Sequence, residues 1–225
     1  MYTVFITGGS GYVGRCLIAV LVERRHHVKA LVRLSSQHKL AGECETLVGD
    51  PLDAFSYASA IAPAKVFVHL VGVPHPSPAK AAQFVAVDQK SVEQALLAAK
   101  TAGVRHFIYV SVAHPAPAMK AYIAVRERCE QAIRDSGLPA TILRPWYVLG
   151  PGHRWPHLLQ PLYWLAEQIP ATREAALRLG LVTLPQMITA LAGAVESEPE
   201  GVRIVTVPEI RAARLDEPLR QVRSA

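Results

Sequence analysis

Cysteine is scarce: Cys16, Cys44 and Cys129 are the only three in 225 residues, and no CxxC pair occurs. Their spacing excludes a zinc ribbon and argues against a disulfide framework, which fits a reducing cytoplasm. No HExxH helix motif is found, and no metal is assigned. Long apolar runs are missing too. Leu17 to Val22 and Val66 to Val73, the latter interrupted by His69, fall far short of the roughly 18 to 20 residues needed to span a bilayer. The start, Met1-Tyr2-Thr3-Val4, has no basic region or cleavage site, so a cytoplasmic protein without a secretory leader is expected. Internal repeats and low-complexity tracts are also absent.

What is present is a chain 51% hydrophobic, long enough for one sizeable core and too short for two large domains. The formal charge of +6 favours anionic ligands. Its basic residues are dispersed over Arg24-Arg25, Lys39, Arg126 to Arg128, Arg154 and Arg211 to Arg223, with no stripe interleaved with aromatics, so no nucleic-acid partner is expected.

Apolar runs of about five to seven residues alternate with longer amphipathic stretches, the pattern of βαβ units. Strands are expected near Tyr2 to Thr7, His27 to Arg33, Glu45 to Gly49, Lys65 to Val71, Arg105 to Val112 and Ala140 to Leu143. The clearest helices are Gly11 to Arg25, Ala79 to Ala102 and Ala118 to Asp135, the last closed by Gly137 and Pro139. Right-handed crossovers then give an α/β fold with a doubly wound parallel sheet, a Rossmann core over residues 1–150. Beyond Pro145 the texture becomes rich in tryptophan and proline, and residues 151–208 are expected to form a small substrate-side segment completing the same domain. It includes a helix near Leu184 to Glu196 and a strand near Val202 to Val207. Residues 209–225 read as a charged, mobile tail.

Thr7-Gly8-Gly9-Ser10-Gly11-Tyr12-Val13-Gly14 joins the first strand directly to the first helix. Gly8 permits the tight turn, Gly11 lets the backbone approach a pyrophosphate, and Gly14 lets the helix pack closely on the sheet. Free N–H groups at the helix start, aided by its dipole, would face the phosphates. An acidic residue to accept the ribose 2′-hydroxyl would lie at the end of the second strand, yet no Asp or Glu occurs from His26 to Gly42. Arg33 stands there instead, with Arg15, His38 and Lys39 as helpers, and suits a 2′-phosphate; NADP(H) is therefore expected over NAD(H). The bland alternative is a solvated strand-end arginine. After the third strand, Gly49-Asp50 could meet the adenine edge, while Asp53 is equally suited to an N-cap.

With the glycine loop and Gly49-Asp50, three further motifs, His69-Leu70-Val71-Gly72, Tyr109-Val110-Ser111 and Ile142-Leu143-Arg144-Pro145, occur in an order that resembles the atypical short-chain dehydrogenase/reductase superfamily, its NmrA-like and epimerase-like branch, over roughly residues 1 to 208. The resemblance implies cofactor contacts from Thr7 to Gly14 and from Arg33, Gly49, Asp50, Leu70, Val71, Gly72, Ser111 and Pro145. It also implies a Tyr-x-x-x-Lys pair after the fifth strand, in which tyrosine moves a proton and the cation favours tyrosinate. Here the pair is Tyr122 and Arg126, with arginine in the lysine position, and the usual hydroxyl position falls near Ala113.

Tyr122 is equally readable as a pocket-wall tyrosine. His114 is a candidate substitute acid, or a polar loop residue. His75, His153 and His157 lie in proline-rich loops that could border the pocket, and Trp146, Tyr147 and Trp155 either line an apolar cavity or pack the segment. The expected function is an NADP(H)-dependent oxidoreductase acting on a carbonyl or alcohol of a small molecule. Two alternatives stay open: a non-catalytic NADP(H)-binding sensor or partner-binding protein, and a sugar-nucleotide epimerase or dehydratase.

Overall fold

The computed structural model describes all residues except 41, 43, 117, 151–173, 175, 199 and 216–225. The first strand, β1 (Thr3–Thr7), leads into α1 (Tyr12–Glu23). β2 (His27–Val32) is followed by a 3₁₀ segment, Leu34–Leu40, and by β3 (Glu45–Val48). A 3₁₀ turn, Ala54–Ser56, and the short α2 (Ala58–Ile61) return the chain to β4 (Val66–His69). Asp53 caps that 3₁₀ turn, accepting a 3.1 Å bond from the Phe55 N–H, which is the N-cap role its position suggested.

The expected helix Ala79 to Ala102 is not one regular rod. A 3₁₀ turn, Pro78–Lys80, runs into α3 (Ala81–Gln83), a π-helical turn, Phe84–Gln89, and then α4 (Lys90–Thr101). The π turn inserts an extra residue, rotating Asp88 to a fully buried position while Val85 stays exposed. β5 (His106–Val110), α5 (Lys120–Asp135) and β6 (Ala140–Leu143) follow. β7 (Tyr147–Leu149) pairs with β8 (Leu181–Thr183) in a separate parallel ribbon. α6 (Leu184–Glu196) opens with a capping box between Thr183 and Gln186. β9 (Val202–Val205) and α7 (Val207–Ala212) complete the described chain.

Thus the strand expected to reach Val207 stops at Val205, and the stretch expected to be a loose tail from Glu209 begins as a helix. Thr206 and Glu209 form its capping box, and Ile210 is fully buried. Residues 216–225 of that tail lie outside the described set.

Seven strands form one parallel sheet in the order β3-β2-β1-β4-β5-β6-β9. The chain winds outward from β1 in one direction and resumes at β4 in the other, so the carboxyl ends of β1 and β4 flank a crevice, the switch point where open α/β sheets bind ligands. Both faces are covered. One core packs Leu17, Ile18 and Leu21 of α1 with Met187, Ile188 and Leu191 of α6 against Val4, Ile6 and Val68. The other packs Val92, Ala95 and Ala99 of α4 with Val125, Cys129 and Ile133 of α5 against Phe5, Phe67 and Phe107. Each fully buried large apolar side chain contributes roughly 1.5 to 3 kcal/mol. This double burial explains why the strands read as continuous apolar runs rather than alternating ones. Among the described residues no helix is long and apolar enough to cross a membrane.

Candidate active site

Gly8 adopts a positive φ of 77°, and a Cβ there would fall 2.6 Å from the Leu70 carbonyl carbon, so the β1–α1 turn presses directly on the end of β4. A Cβ at Gly14 would fall 2.5 Å from the Gly8 carbonyl oxygen, which lets α1 start immediately above the turn. Gly11, the N-cap of α1, is exposed and supplies no side-chain cap to the first-turn N–H groups. A Cβ on it would meet only the Gly8 oxygen, at 3.1 Å. The helix start is therefore an open cradle for an anion, formed by backbone dipoles.

This cradle opens into a cleft of about 800 Å³. On one side of the glycine turn the cleft is bounded by Arg33, Ser36, Lys39, Asp50 and Leu52; on the other, by Leu70 to Pro74, Gln83 and Val87. The 3₁₀ segment after β2 brings Ser36 and Lys39 alongside Arg33. Among the described residues Arg33 has no acidic partner. Asp50 is the one carboxylate on the described lining; one of its oxygens accepts from the Leu52 N–H at 2.9 Å. The dimensions and donors suit a dinucleotide lying across the sheet edge, with its adenosine half over β2 and β3 and its other half over β4.

The structure thus gathers Gly8, Ser10, Gly11, Arg33, Gly49, Asp50, Leu70, Val71 and Gly72 around one cleft. Other residues of the expected set support it from behind. Thr7 pairs its hydroxyl with the buried His69 at 2.8 Å, and Gly9 packs against Ile18 and Ala30. Val13 packs on the core, and the Tyr12 hydroxyl lies where a Cβ on Gly150 would be. The Pro145 carbonyl accepts from Ala113 N–H at 2.9 Å, tying the end of β6 to the loop after β5. Of the proposed helpers, Lys39 lines the cleft while Arg15 and His38 are exposed residues outside its lining.

Tyr122 and Arg126 lie one turn apart at the start of α5, whose N-terminal end shares the carboxyl edge of the sheet with the cleft. The two are in contact, but through the ring: the guanidinium carbon sits 4.9 Å from the Tyr122 ring centroid, and Phe84 meets the same ring edge-on at 5.0 Å. Arg126 itself is buried. Its Nη2 donates to Asp88 Oδ1 at 2.6 Å, and its Nη1 donates to the Tyr109 hydroxyl at 2.8 Å and the Val110 carbonyl at 3.1 Å. Burial works against its charge, yet Tyr109, Tyr122 and Asp88 together hold its pKa above the ordinary arginine value. Burial likewise pushes the Asp88 carboxyl up, against the pull of Arg126.

A second buried network lies beside the first. Glu130, 1% exposed, receives both Nε and Nη2 of Arg144, the Ser111 hydroxyl at 2.6 Å and an i,i+4 contact from Arg134. Burial pushes its carboxyl up, but these donors outweigh that and leave it below the usual glutamate range. His114 is held between Glu130 and Glu127, at 3.4 and 3.3 Å, rather than on the cleft lining.

Asp88, Glu130, Ser36 and the Gln83/Val87 pair were not singled out by sequence reasoning. Two signals pointed to the carboxylates. Asp88 is the sole acidic residue from Ala54 to Val92, and Arg126 and Glu130 occupy the same helical stripe as Ile123 and Ile133. His153, His157 and Trp155 lie outside the described residues; among those described, no group of three metal-binding side chains exists.

A family model described as NAD(P)H-binding matches residues 8–154. The chain is 30% identical over 151 residues to a ceramide reductase of Caulobacter vibrioides, covering 66% of this chain and 47% of that protein. It is 27% identical over 168 residues to a 4-hydroxy-2-methyl-3-oxo-4-farnesyl-3,4-dihydroquinoline-1-oxide ketoreductase of Stigmatella aurantiaca, covering 65% and 50%. The chain spans about half the length of these curated relatives. A short-chain dehydrogenase/reductase superfamily protein from Agrobacterium tumefaciens, solved with bound NAD, superposes with a TM-score of 0.67 at 19% identity over 91% of this chain and 77% of that one, which is a likeness of fold. With its switch-point cleft and glycine cradle, the chain belongs to the NAD(P)H-binding family, on a Rossmann fold like that of the short-chain dehydrogenase/reductase superfamily protein.

Proposed function

We propose that this protein is an NADP(H)-dependent oxidoreductase acting on a carbonyl or alcohol of a small molecule. The observation that carries the reading is the pairing, in one cleft, of an anion cradle at Gly8–Gly11 with a cationic rim of Arg33 and Lys39, neither of which has an acidic partner among the described residues. The cradle suits a pyrophosphate, and the rim suits a 2′-phosphate where an NAD-selective site would present a carboxylate. Asp50, just past the end of β3, remains available for the adenine or its ribose. The printed names of the matched relatives, a ceramide reductase and a ketoreductase, support carbonyl and alcohol chemistry.

When bound, the nicotinamide supplies or accepts hydride. This chain's own residues do the rest. The glycine turn and Arg33 hold the anionic parts, and Leu70 to Val73 form an apolar wall that excludes water from the other half. Tyr122 gives a proton to the substrate oxygen during reduction and takes one back during oxidation, from its phenolic Oη. Arg126 meets the Tyr122 ring face, with its hydrogen bonds committed to Asp88, Tyr109 and Val110, so its part is to fix the ring rather than to bind the hydroxyl. NADPH consumption on a panel of ketones and aldehydes, compared between wild type and Tyr122→Phe, tests this. The variant should lose about 10²- to 10⁴-fold in kcat at near-constant NADPH affinity. Unchanged kcat would remove Tyr122 from the chemistry, and a wild type that binds NADPH but turns over no substrate would favour the sensor alternative.

A further inference from the structure

The floor of the cleft beyond the glycine turn is a buried ion pair. A Cβ at Gly72 would fall 2.8 Å from Arg126 Nη2 and 2.9 Å from Asp88 Oδ1, so the backbone lining the cleft rests directly on the pair. The Val73 N–H donates to Asp88 Oδ1 at 3.2 Å, fixing the same turn by its backbone. Lys80 closes the far side, donating to the carbonyls of Pro74 and His75 at 2.6 and 3.0 Å. Through Arg126 the pair also grips the end of β5 at Val110, the Tyr109 hydroxyl and the ring of Tyr122. The π-helical turn is what brings Asp88 inward while Val87, next to it, and Gln83, just before the turn, face the cleft. Asp88 Oδ2 and Arg126 Nε are buried without a hydrogen-bond partner among the described residues. A pair kept at that desolvation cost is poor value as a stabiliser, since apolar side chains of similar volume would pack at least as well. Its geometry instead links the cleft floor to the proton-donor ring.

We propose that Asp88 and Arg126 are positioning residues: their ion pair holds the Gly72–Val73 turn and the Tyr122 ring in register for the nicotinamide half of the cofactor. The inference rests on the dinucleotide reading above. It separates the cleft energetically into an adenosine half, set by Arg33, and a second half, set by the pair.

The test is calorimetric titration of the full chain with two probes, NADP⁺ and 2′-phospho-ADP-ribose, which lacks the nicotinamide. Removing both charges in the double variant Asp88→Asn/Arg126→Met avoids leaving one of them buried and unpaired. It should weaken NADP⁺ by about tenfold or more while 2′-phospho-ADP-ribose stays within about twofold. Arg126→Lys keeps the charge but loses the fork, and should show the same selectivity at a smaller size, about threefold. Arg33→Ala should weaken both probes together. Circular dichroism melts establish that each variant is folded. Equal loss of both probes, or of neither, in folded double variant or in Arg126→Lys would overturn the positioning role while leaving the cofactor reading intact. A wild type that binds neither probe would overturn both.

Discussion

Ser111 donates its hydroxyl to Glu130 Oε1 at 2.6 Å, and both side chains are buried. A hydroxyl at the end of β5 is where the superfamily resemblance placed a cofactor contact, but here it joins Arg144 and His114 on one carboxylate and locks β5, β6 and α5 together. Glu130→Gln leaves the Arg144 guanidinium without its counter-charge and should cost about 3 to 5 kcal/mol of stability. Ser111→Ala should cost about 1.5 to 3 kcal/mol, the range of a hydrogen bond to a charged group. Urea denaturation measures both. A Ser111→Ala protein of wild-type stability that has lost cofactor affinity would return Ser111 to the cofactor.

Two glycines of the same loop separate binding from folding. Gly11→Val projects its side chain into the space over the helix start, with only the Gly8 oxygen near, so NADPH and NADH binding should vanish with the fold retained. Gly14→Val instead drives a Cβ to within 2.5 to 2.7 Å of the Gly8 and Gly9 backbones, and the melting temperature should fall. Fluorescence titration beside circular dichroism distinguishes them. Wild-type cofactor affinity in Gly11→Val would reduce the loop to a structural turn.

Stability should fall in mild acid, for a reason visible in two strands. Burial, helped by Arg126, lowers the pKa of His69 to about 3, and burial lowers that of His106 to about 4 against one opposing backbone bond. Both stay neutral in the fold, bonded to Thr7 and Ser91 and to Thr141 respectively. In the unfolded chain each takes up a proton below about pH 6.5, so unfolding binds protons and stability drops as pH falls through that value toward 4. Two such groups give a slope of up to about 2.7 kcal/mol per pH unit. Below about 4.5, protonation of Glu130 and Glu196, both held low in the fold, adds to the loss; Asp88, held high, opposes it. Urea unfolding at pH 7, 6 and 5 checks the slope, and a flat profile would contradict it.

The sheet and its cofactor edge were legible because parallel strands buried on both faces leave continuous apolar runs, and because a glycine turn between strand and helix has few other uses. Arg33 was singled out through an absence, the missing acid between His26 and Gly42, and it does lie on the cleft lining. Arg126 was found by spacing, but its partner was not. An i,i+4 pattern records which residues share a helix face; it carries no information about Asp88, 38 residues earlier, which reaches Arg126 through a π-helical turn. Ser111 and His114 were assigned by their place after β5, and their direction was decided by Glu130, which periodicity puts on the buried stripe of α5 while its charge alone reads as a surface residue.

The central claim is that Arg33 selects a 2′-phosphate. A guanidinium binds such a group through paired, charge-assisted bonds worth roughly 1.5 to 3 kcal/mol each, reduced here by solvent at the exposed rim. Calorimetric titration of NADPH and NADH into wild type and Arg33→Asp, at one moderate salt concentration, measures it directly. The account predicts a wild-type preference for NADPH of about 10- to 100-fold, inverted in Arg33→Asp, whose carboxylate repels the phosphate and accepts from the ribose hydroxyls of NADH. Equal wild-type affinities, or a preference untouched by the substitution, would contradict the role of Arg33, and tighter NADH binding by the wild type would overturn the choice of cofactor itself.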